Sequence, residues 1–291
     1  MDSNTTIRRP DWLKIKLNTS QNFQETKDII EKKMLNTVCV EAKCPNIYEC
    51  WSRKTATIMI LGDICTRACG FCSVKTGKPS PVDKLEPVRV SHAVKSMNLK
   101  HVVITSVDRD DLKNDYGATI WSETIDMIHR EVDNCSVEVL TPDFKGHVPS
   151  ITKVLESKPE IFSHNVECVK RISRQVRINS NWDRSLEVLK MSVDYGLLTK
   201  TGIMVGLGET DNEVYRTMEI ISDLGVKIFN IGQYLQPTIK HLPVSRFVHP
   251  DQFKRYKEFG LSLGFKVVES APLVRSSYHA DEQVTLYQSA V

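Results

Sequence analysis

Short apolar runs rich in β-branched residues alternate with amphipathic stretches from about residue 55 onward. Six such runs are centred near residues 58, 103, 138, 163, 203 and 230. Each run is followed by a stretch in which apolar residues recur every three or four positions, most clearly in 118–132, 183–195 and 211–224. The runs predict strands and the stretches predict amphipathic helices. The sequence therefore predicts six strands that alternate with helices.

Strands that alternate with helices pair in parallel, which leaves a doubly wound sheet or a barrel. The unusual polar residues and a cysteine cluster follow the predicted strand ends, at 65–72, 106–110, 142–143, 165, 206–209 and 233–236. In (β/α) barrels the chemistry lies on the loops after the strands, so these loops are expected to converge on one cavity. Because six units are fewer than eight, we predict an α/β fold with a partial (β/α)6 TIM-like barrel.

Two extensions flank the predicted barrel of residues 55–240. Residues 1–54 contain a polar opening, a predicted helix at 25–35 and three cysteines. Residues 241–291 contain a predicted helix at 251–263 and a predicted strand at 266–269. We interpret both segments as additions laid across one main domain, since 291 residues suffice for one large core.

Charge and composition narrow the function classes. Lys and Arg number 39 against 36 for Asp and Glu, a net charge of +3 with both signs interspersed, so no nucleic-acid partner is expected. No apolar run approaches the roughly 18 residues that cross a bilayer, and the first residues lack the apolar core of a secretory signal. We expect a cytoplasmic protein without a membrane partner, and nothing requires more than a monomer.

Six of the eight cysteines lie between Cys39 and Cys72. Such crowding in a chain of ordinary composition indicates metal binding more often than disulfides. Cys135 and Cys168 stand apart, and we expect them to be small buried apolar residues.

The segment CTRACGFC places Cys65, Cys69 and Cys72 at the spacing C-x3-C-x2-C directly after a predicted strand. Three thiolates can hold three irons of a 4Fe–4S cluster, which leaves one iron open for a chelating ligand. The motif closely resembles that of the radical S-adenosylmethionine (SAM) superfamily, in which SAM occupies that iron. The alternative is zinc, although structural zinc usually takes four ligands and no second pair of cysteines follows.

A second trio, Cys39, Cys44 and Cys50 in VCVEAKCPNIYECW, has the spacing C-x4-C-x5-C. Soft thiolates select an iron–sulfur cluster or zinc, so chemistry alone leaves both open. The two trios in this order, with the blocks EAKCPNIYECW, HVVITSVDRDDL, IGQYLQPTIKHLPVSRF and PLVRSSYHA, resemble the lipoyl synthase family over nearly the whole chain.

This resemblance implies a ligand set for a second, auxiliary 4Fe–4S cluster, which the two extensions carry. Its ligands are Cys39, Cys44, Cys50 and the second serine of the Arg-Ser-Ser-Tyr motif, which is Ser277. A serine oxygen is a harder ligand than a thiolate and suits iron of a cluster less well, so a labile corner would favour the release of sulfide. Without the resemblance, the motif would be interpreted as a surface turn. Arg275 is a candidate for substrate contact.

The resemblance also implies contacts to SAM. Phe71 matches the aromatic position before the third cysteine of the motif, and the segment from Gly202 to Glu209 resembles the superfamily pattern G-x-I-x-G-x-x-E. The candidates for SAM contact are therefore Phe71, Thr105, Ser106, Asn165 and Gly206. Each could equally be an ordinary loop residue.

The implied activity is that of a sulfurtransferase with two 4Fe–4S clusters and SAM as cofactors. It inserts sulfur at C6 and C8 of an octanoyl group on a lysine of a lipoyl carrier protein, and the auxiliary cluster supplies the sulfur. An electron donor such as ferredoxin or flavodoxin is a further expected partner. This is a positioning task and needs no catalytic carboxylate pair.

Two alternative functions remain open from the residues alone. One is another radical sulfur-inserting enzyme, such as a biotin-synthase-like protein or a methylthiotransferase, which would have different ligands for its second cluster. The other is a zinc-stabilised binding protein. The basic run of Lys170, Arg171, Arg174 and Arg177 is either a docking face for an acidic carrier or a solvated helix face.

Overall fold

The computed structural model describes residues 8–15, 20–53, 55–280 and 282–283. Residue 54, the predicted end of the N-terminal extension, and residues 284–291 of the C-terminal extension lie outside this set. The helices are α1 (Gln21–Lys32), α2 (Val38–Glu41), α3 (Ile47–Ser52), α4 (Glu86–Ser96), α5 (Ala118–Glu131), α6 (Val148–Glu156), α7 (Ser173–Val176), α8 (Trp182–Asp194), α9 (Asp211–Asp223) and α10 (Pro250–Ser262). In the described chain, none of these helices has both the length and the apolar character needed to cross a membrane.

The strands form one large sheet and one small one. They are β1 (Asn36–Thr37), β2 (Thr57–Ile60), β3 (Ile64–Cys65), β4 (Lys75–Thr76), β5 (His101–Ser106), β6 (Ser136–Leu140), β7 (Ile161–Ser163), β8 (Leu198–Val205), β9 (Ile228–Gln233) and β10 (Val267–Ser270). The large sheet has the order β1-β2-β5-β6-β7-β8-β9-β10, and β3 pairs with β4 separately. All six predicted strands are present as β2 and β5 to β9, and they pair in parallel. The prediction of a partial parallel barrel is confirmed.

Two short strands extend the sheet beyond the six that were predicted for the barrel. At one edge β1 pairs antiparallel with β2, through Asn36 with Met59 and Thr37 with Ile58. At the other edge β10 pairs parallel with β9, from Val267 with Ile228 onward. The predicted strand at 266–269 therefore belongs to the same sheet as the barrel. Both additions attach the cysteine-bearing and serine-bearing extensions to the barrel by main-chain hydrogen bonds.

The predicted helices are also present, with ends set by capping side chains. The helix predicted at 211–224 is α9, where Thr210 and Glu213 bond reciprocally to each other's backbone amides in a capping box. The helix predicted at 25–35 is α1, which begins earlier because the Ser20 hydroxyl accepts a hydrogen bond from the Phe23 amide. Sequence periodicity identified these helices, while the caps determine where they begin.

Aromatic packing holds the N-terminal extension against the barrel. The Phe23 ring lies 5.4 Å from the rings of both Tyr48 and Trp51, which joins α1 to α3. The Thr26 hydroxyl donates to the Trp51 carbonyl at 3.1 Å. Cys39 belongs to the same buried apolar cluster as Phe23 and Trp51. This packing fixes α2 and α3, which carry Cys39 and Cys50, next to strand β2.

The chain after β10 passes over the carboxyl end of β9. The Ala271 amide donates to the Ile231 carbonyl at 3.2 Å, and the Gln233 amide donates to the Pro272 carbonyl at 3.2 Å. Gly232 lies beneath this crossing, where a Cβ would stand 2.1 Å from the Val274 carbonyl oxygen. Only glycine permits so close an approach of two backbones. The Arg-Ser-Ser-Tyr segment is thereby carried to the rim of the barrel.

A buried ion pair lies inside the sheet. Lys200 on β8 and Glu138 on β6 are both fully buried, and the Lys200 Nζ stands 2.9 Å from Glu138 Oε1. His101 on β5 lies beside them, with its Nε2 3.7 Å from Glu138 Oε2. Burial tends to raise the pKa of Glu138, but the charges of Lys200 and His101 leave that pKa below its ordinary value. Glu138 is therefore a carboxylate whose charge is compensated inside the fold.

Candidate active site

Both cysteine trios and Ser277 line one cavity of about 500 Å³ at the rim of the barrel. This volume lies within the range of about 300–1,000 Å³ that small-molecule sites occupy. The predicted site residues in its wall are Cys39, Cys44, Cys50, Cys65, Cys69, Phe71, Cys72, Thr105, Ser106, Asn165, Arg275 and Ser277. The cavity is thus the point at which the barrel and its two extensions meet.

The C-x3-C-x2-C loop is anchored to the barrel by its backbone. The Thr66 amide donates to the Asp108 carbonyl at 3.0 Å, and the Gly70 amide donates to the Val176 carbonyl at 2.9 Å. The Gly70 carbonyl in turn accepts from the Leu242 amide at 2.9 Å. A Cβ at position 70 would meet the Leu242 side chain at 2.9 Å, so glycine also permits close packing there. These bonds fix the loop that presents Cys65, Cys69 and Cys72 to the cavity.

A buried arginine inside the same loop joins three carboxylates. Arg67 donates to Asp110 through Nε at 2.9 Å and through a second nitrogen at 2.8 Å. It also donates to Asp143 at 2.6 Å and stands 3.2 Å from Asp108. Only 2% of its side chain is exposed. A planar guanidinium suits such multiple contacts, so Arg67 ties the cysteine loop to the ends of β5 and β6.

The three thiols of this loop are largely buried and lie close to negatively charged side chains. Burial, together with the charge of Asp108, raises the pKa of Cys69 to about 12. Burial and the neighbouring Cys65 raise the pKa of Cys72 to about 11. Burial also raises the pKa of Asp108 to about 6, against the lowering effect of Arg67. Free thiolates are disfavoured here, and a cationic iron centre would reverse that preference.

The N-terminal trio forms an equally close group. Burial, with the charge of Cys44, raises the pKa of Cys39 to about 11, although a hydrogen bond from the Thr57 backbone lowers it. Burial raises the pKa of Cys50 to about 12, and both Cys39 and Cys44 add to that rise. All three cysteines line the same cavity, which agrees with these mutual electrostatic effects. The trio therefore presents three soft ligands to the cavity from one side.

Ser277 faces this trio from the C-terminal extension. The Thr57 hydroxyl donates to the Ser277 Oγ at 2.6 Å. Thr57 is the same residue whose backbone bonds to Cys39, so Ser277 and Cys39 share one neighbour. The preceding Ser276 is held from the barrel, because Asn165 Nδ2 donates to its Oγ at 2.5 Å and Asn230 Nδ2 donates to its carbonyl at 3.0 Å.

Arg275 lies beside the N-terminal trio. Burial lowers the pKa of Arg275. The negative charge of the Cys44 thiolate acts in the opposite sense and raises that pKa, because the two side chains are within electrostatic reach. Its side chain donates to the carbonyl of its neighbour Val274 at 2.6 Å. The arginine therefore places a positive charge at the trio and at the cavity wall. Its suggested role in substrate contact stays a prediction.

The candidates for SAM contact differ in their surroundings. Thr105 donates to the Leu140 carbonyl at 2.9 Å and Ser106 donates to the Val107 carbonyl at 2.9 Å, so both hydroxyls retain acceptor capacity toward the cavity. Asn165 has a buried Oδ1 without a hydrogen-bond partner among the described residues. These three side chains keep polar atoms available for a ligand.

Gly206 is placed differently from the other candidates. Its amide donates to the Glu209 carboxylate at 2.7 Å, and the Leu207 amide donates to the same carboxylate at 2.9 Å. A Cβ at Gly206 would stand 2.1 Å from Gln233 Nε2, and its φ of +97° also favours glycine. The same segment lines the cavity through Gly202, Ile203 and Met204 instead. Glu209 therefore stabilises the turn that aims this segment at the cavity.

Three residues near the C-x3-C-x2-C cysteines were not among the predicted residues of the cluster and SAM sites. Arg67 was not singled out within its motif, and Glu167 follows Asn165 by only two residues at a predicted strand end. Glu167 has a left-handed φ of 66° and affects the pKa of both Cys69 and Cys72. Arg177 is 6% exposed, and its positive charge opposes the rise in the pKa of Cys69. The strand-end position could have identified Glu167, whereas the sequence contains no signal for the burial of Arg177.

The basic run near residue 170 does not form one surface. Lys170 pairs with Asp183 at 2.6 Å, and Arg171 pairs with Glu213 at 2.6 Å. Arg177 is buried and donates to the Val166 carbonyl at 3.2 Å. The structure therefore gives no support to a docking face made by this run. By contrast, the predicted burial of Cys135 and Cys168 is confirmed, at 7% and 0% exposure.

The donor sets fit iron–sulfur clusters. Within the described residues, no three His, Cys, Asp or Glu side chains surround a single metal position. A 4Fe–4S cluster imposes a different requirement, since each thiolate binds a separate iron. Two trios of free thiols line one cavity together with Ser277, which meets that requirement.

Comparison with known proteins identifies the family. Residues 59–221 match the family model of the Radical SAM superfamily. The lipoyl synthase of Flavobacterium johnsoniae is 52% identical over 277 residues, covering 95% of this chain and 96% of the relative. The chain belongs to the lipoyl synthase family. Members of this family use SAM and two 4Fe–4S clusters. The family also includes the mitochondrial lipoyl synthase of Nematostella vectensis, which is 50% identical and covers 95% of both chains.

Solved structures of lower identity support the fold of this lipoyl synthase family member. SuiB of Streptococcus suis bound to S-adenosylmethionine has a TM-score of 0.58 at 9% identity, covering 78% of this chain and 55% of SuiB. Methylornithine synthase has a TM-score of 0.53 at 13% identity, covering 76% of this chain and 73% of the other. At such identities the likeness concerns the fold alone, and it agrees with the partial parallel barrel.

Proposed function

We propose that the chain inserts two sulfur atoms at C6 and C8 of an octanoyl group carried on a lysine of a lipoyl carrier protein. The single observation that supports this proposal is that both cysteine trios and Ser277 line the same cavity. A radical formed at one trio and a sulfur held at the other could then meet one alkyl chain. A chain that used its cysteines only for structural stability would have no need to place both sets around one cavity.

We assign Cys65, Cys69 and Cys72 to the SAM-binding cluster, and Cys39, Cys44, Cys50 and Ser277 to the auxiliary cluster. When bound, the first of these clusters together with SAM would supply a 5′-deoxyadenosyl radical at Cys65, Cys69 and Cys72. The auxiliary cluster would supply transferable sulfur at the N-terminal trio. The chain itself must hold the two centres at fixed positions. Arg67 serves this purpose on one side through its three carboxylates, and Thr57 serves it on the other through Ser277.

We further propose that SAM lies against Phe71, Thr105, Ser106 and Asn165. The hydroxyls of Thr105 and Ser106 can accept hydrogen bonds, and the buried Oδ1 of Asn165 is available in the described structure. Gly206 would act indirectly, through the turn that Glu209 stabilises. Arg275 would favour a polar or anionic part of the bound reactants beside the N-terminal trio.

Exclusion of water is the second task of the cavity wall. The inward residues of the strands include Met59 on β2, Val103 on β5 and Leu140 on β6. Such apolar side chains suit a linear alkyl chain and contain no thiol hydrogen atom that a carbon radical could abstract. His164 also lines the cavity, yet it stays neutral because burial and the charge of Arg177 lower its pKa to about 4. Its two nitrogens bond to the Thr141 carbonyl and the Ser185 hydroxyl.

The partners follow from this reaction. The substrate is an octanoylated carrier protein or domain, and electrons would come from a small reductant such as ferredoxin or flavodoxin. We infer a cytoplasmic location for the chain, although the relative from Nematostella vectensis is described as mitochondrial. No nucleic acid or membrane takes part in the proposed reaction.

An anaerobic assay with an octanoylated carrier peptide tests the proposal. The chain reconstituted with iron and sulfide, SAM and a reductant should yield a peptide whose mass has risen by two sulfur insertions. Methionine and 5′-deoxyadenosine should appear as co-products. Peptide that stays unmodified while SAM is cleaved would overturn the sulfur-insertion proposal. A colourless preparation without acid-labile sulfide would instead favour a zinc-stabilised binding protein.

A further inference from the structure

A second set of contacts surrounds the serine segment on its outer side. The Tyr278 hydroxyl donates to the Glu49 carboxylate, 3.1 Å from Oε1 and 3.2 Å from Oε2. His279 Nε2 lies 3.0 Å from Glu49 Oε1. Two consecutive residues of the C-terminal extension therefore bind one carboxylate of helix α3, 229 and 230 positions away in the chain.

The contacts continue beyond His279. Its Nδ1 lies 3.0 Å from Glu282 Oε2, and the other oxygen of Glu282 accepts from Arg53 at 2.6 Å. The rings of Tyr278 and His279 stack with 4.0 Å between their centroids. We name this set of five residues the outer latch; its members are Glu49, Arg53, Tyr278, His279 and Glu282. Two members of the outer latch belong to the N-terminal extension: Glu49 lies in α3 and Arg53 follows α3 directly.

The outer latch lies one residue away from two of the proposed cluster ligands. Glu49 precedes Cys50, and Tyr278 follows Ser277. A bond between Glu49 and Tyr278 therefore fixes the backbone that carries Ser277 relative to the backbone that carries Cys50. On the inner side, Thr57 and Asn165 contact Ser277 and Ser276. The serine segment is held from two sides, and the outer contacts join Tyr278 and His279 directly to α3.

We propose that Glu49 is a positioning residue that keeps Ser277 at the auxiliary cluster by holding Tyr278 and His279. This inference rests on the proposed function, because it assumes that Ser277 is a ligand. Loss of the Glu49 carboxylate removes the direct contacts of Tyr278 and His279 with α3, leaves only the indirect contact through Glu282 and Arg53 in the outer latch, and keeps the three thiols in place. The serine oxygen then leaves its iron more often, and that iron is lost to solution sooner.

The outer latch is weak enough to open during turnover. The side chains of Glu49 and Glu282 are 48% and 50% exposed, and that of Arg53 is 32% exposed. Exposed ion pairs contribute little to stability, so the removal of Glu49 should change the rate of iron release by about three- to tenfold and leave the fold intact. A ligand held this way can detach when sulfur is withdrawn from the cluster.

The test follows iron release to a colorimetric chelator from the full chain with both clusters, under anaerobic conditions. Excess SAM occupies the open iron of the cluster held by Cys65, Cys69 and Cys72, so that iron released from the auxiliary cluster dominates the signal. Glu49→Ala should release iron about three- to tenfold faster than the unmodified chain. Glu49→Gln keeps an oxygen that accepts from Tyr278 and should fall in between. Glu31→Ala is the matched control, since Glu31 pairs with Lys27 on the exposed face of α1; its rate should be unchanged.

A double-mutant comparison separates positioning of the serine from a general loosening of α3. Ser277→Ala alone sets the fastest release, and adding Glu49→Ala to it should produce no further increase. A charge exchange gives a second readout: Arg53→Glu and Glu282→Arg should each speed release, and the two together should restore the original rate. Unchanged rates for Glu49→Ala, or an equal acceleration with and without Ser277, would overturn the proposal.

The iron content of the unmodified chain distinguishes failure of the latch from failure of the proposed function. About eight irons per chain agree with two clusters, and the rates of the variants then decide the latch alone. A content of about four irons per chain would indicate that the auxiliary cluster is absent, and it would contradict both the proposed function and the proposed role of the outer latch.

Discussion

The hydroxyl of Thr57 donates a 2.6 Å hydrogen bond to the hydroxyl oxygen of Ser277, across 220 positions of sequence. Thr57 begins strand β2, and β2 leads into the loop of the C-x3-C-x2-C motif. Its backbone also bonds to Cys39 of the other trio. One residue of the barrel thus contacts a proposed ligand from each extension. This arrangement supports the proposal that Ser277 is the fourth ligand of the auxiliary cluster.

Removal of one auxiliary thiol should separate the two halves of the reaction. We expect Cys39→Ala to retain reductive cleavage of SAM, because Cys65, Cys69 and Cys72 are untouched, and to lose sulfur insertion into an octanoyl peptide. Iron content should fall from about eight toward four per chain. Cys135→Ala is the matched control, since Cys135 is buried away from the cavity wall. Lipoyl product from Cys39→Ala would refute the assignment of the sulfur donor.

A methyl group added beneath the serine segment should displace it. In Gly232→Ala the new Cβ would stand 2.1 Å from the Val274 carbonyl, so the backbone before Arg275 must shift. We expect weaker auxiliary-cluster binding, measured as iron content, with SAM cleavage retained. In Gly77→Ala the nearest atom lies at 3.5 Å, so this control should bind iron normally. Equal iron content in the two variants would contradict the proposed crossing of the backbones.

Loss of the buried arginine in the cysteine loop should destabilise the chain strongly. Arg67→Met leaves Asp143, which is fully buried, without its closest cation. Breaking a buried pair typically costs about 3–5 kcal/mol. The exposed pair of Arg89 with Asp83 serves as the control, and Arg89→Met should cost about 1 kcal/mol or less. Thermal unfolding midpoints measured under anaerobic conditions compare the two; similar midpoints would argue against the role of Arg67.

The ion pair inside the sheet should make stability depend on pH. The pKa of Glu138 is lowered in the folded chain, so its contribution is present above its ordinary pKa and is lost as the pH falls through the lower folded value. In Lys200→Met, burial without the cation should raise that pKa, so stability should instead fall as the pH rises. We expect a loss of about 3–5 kcal/mol at neutral pH.

Thermal midpoints at several pH values check the sign of this effect. Lys190→Met, which removes an exposed pair with Asp194, should show neither the loss nor the reversed dependence. A variant in which both Lys200 and Glu138 become apolar should recover most of the stability, since no charge then stays buried alone. An unchanged pH dependence in Lys200→Met would contradict the compensation of Glu138 by Lys200.

Local sequence patterns account for much of the fold. β-Branched runs located the six parallel strands, and apolar periodicity located α9 within a residue at either end. The C-x3-C-x2-C spacing placed one trio at a strand end. These features depend on neighbours within a few positions, and such information is present in one sequence.

Contacts between distant parts of the chain could not be predicted in the same way. The bond of Thr57 to Ser277 and the hold of Asn165 on Ser276 span more than one hundred positions. Arg177 lies in a basic run, and only the fold buries it beside the first trio. Likewise β10 was predicted as a strand, but its pairing with β9 depends on the arrival of the whole C-terminal extension.

The most direct test of the central claim follows the sulfur itself. The chain is reconstituted anaerobically with heavy-isotope sulfide, freed of excess sulfide, and given an octanoylated carrier peptide, SAM and a reductant containing sulfur of natural isotopic abundance. We expect both sulfur atoms of the first product to carry the heavy isotope, and we expect the Cys39→Ala variant to make no lipoyl product. Product that contains only natural-abundance sulfur would show that the sulfur does not come from a cluster held by Cys39, Cys44, Cys50 and Ser277.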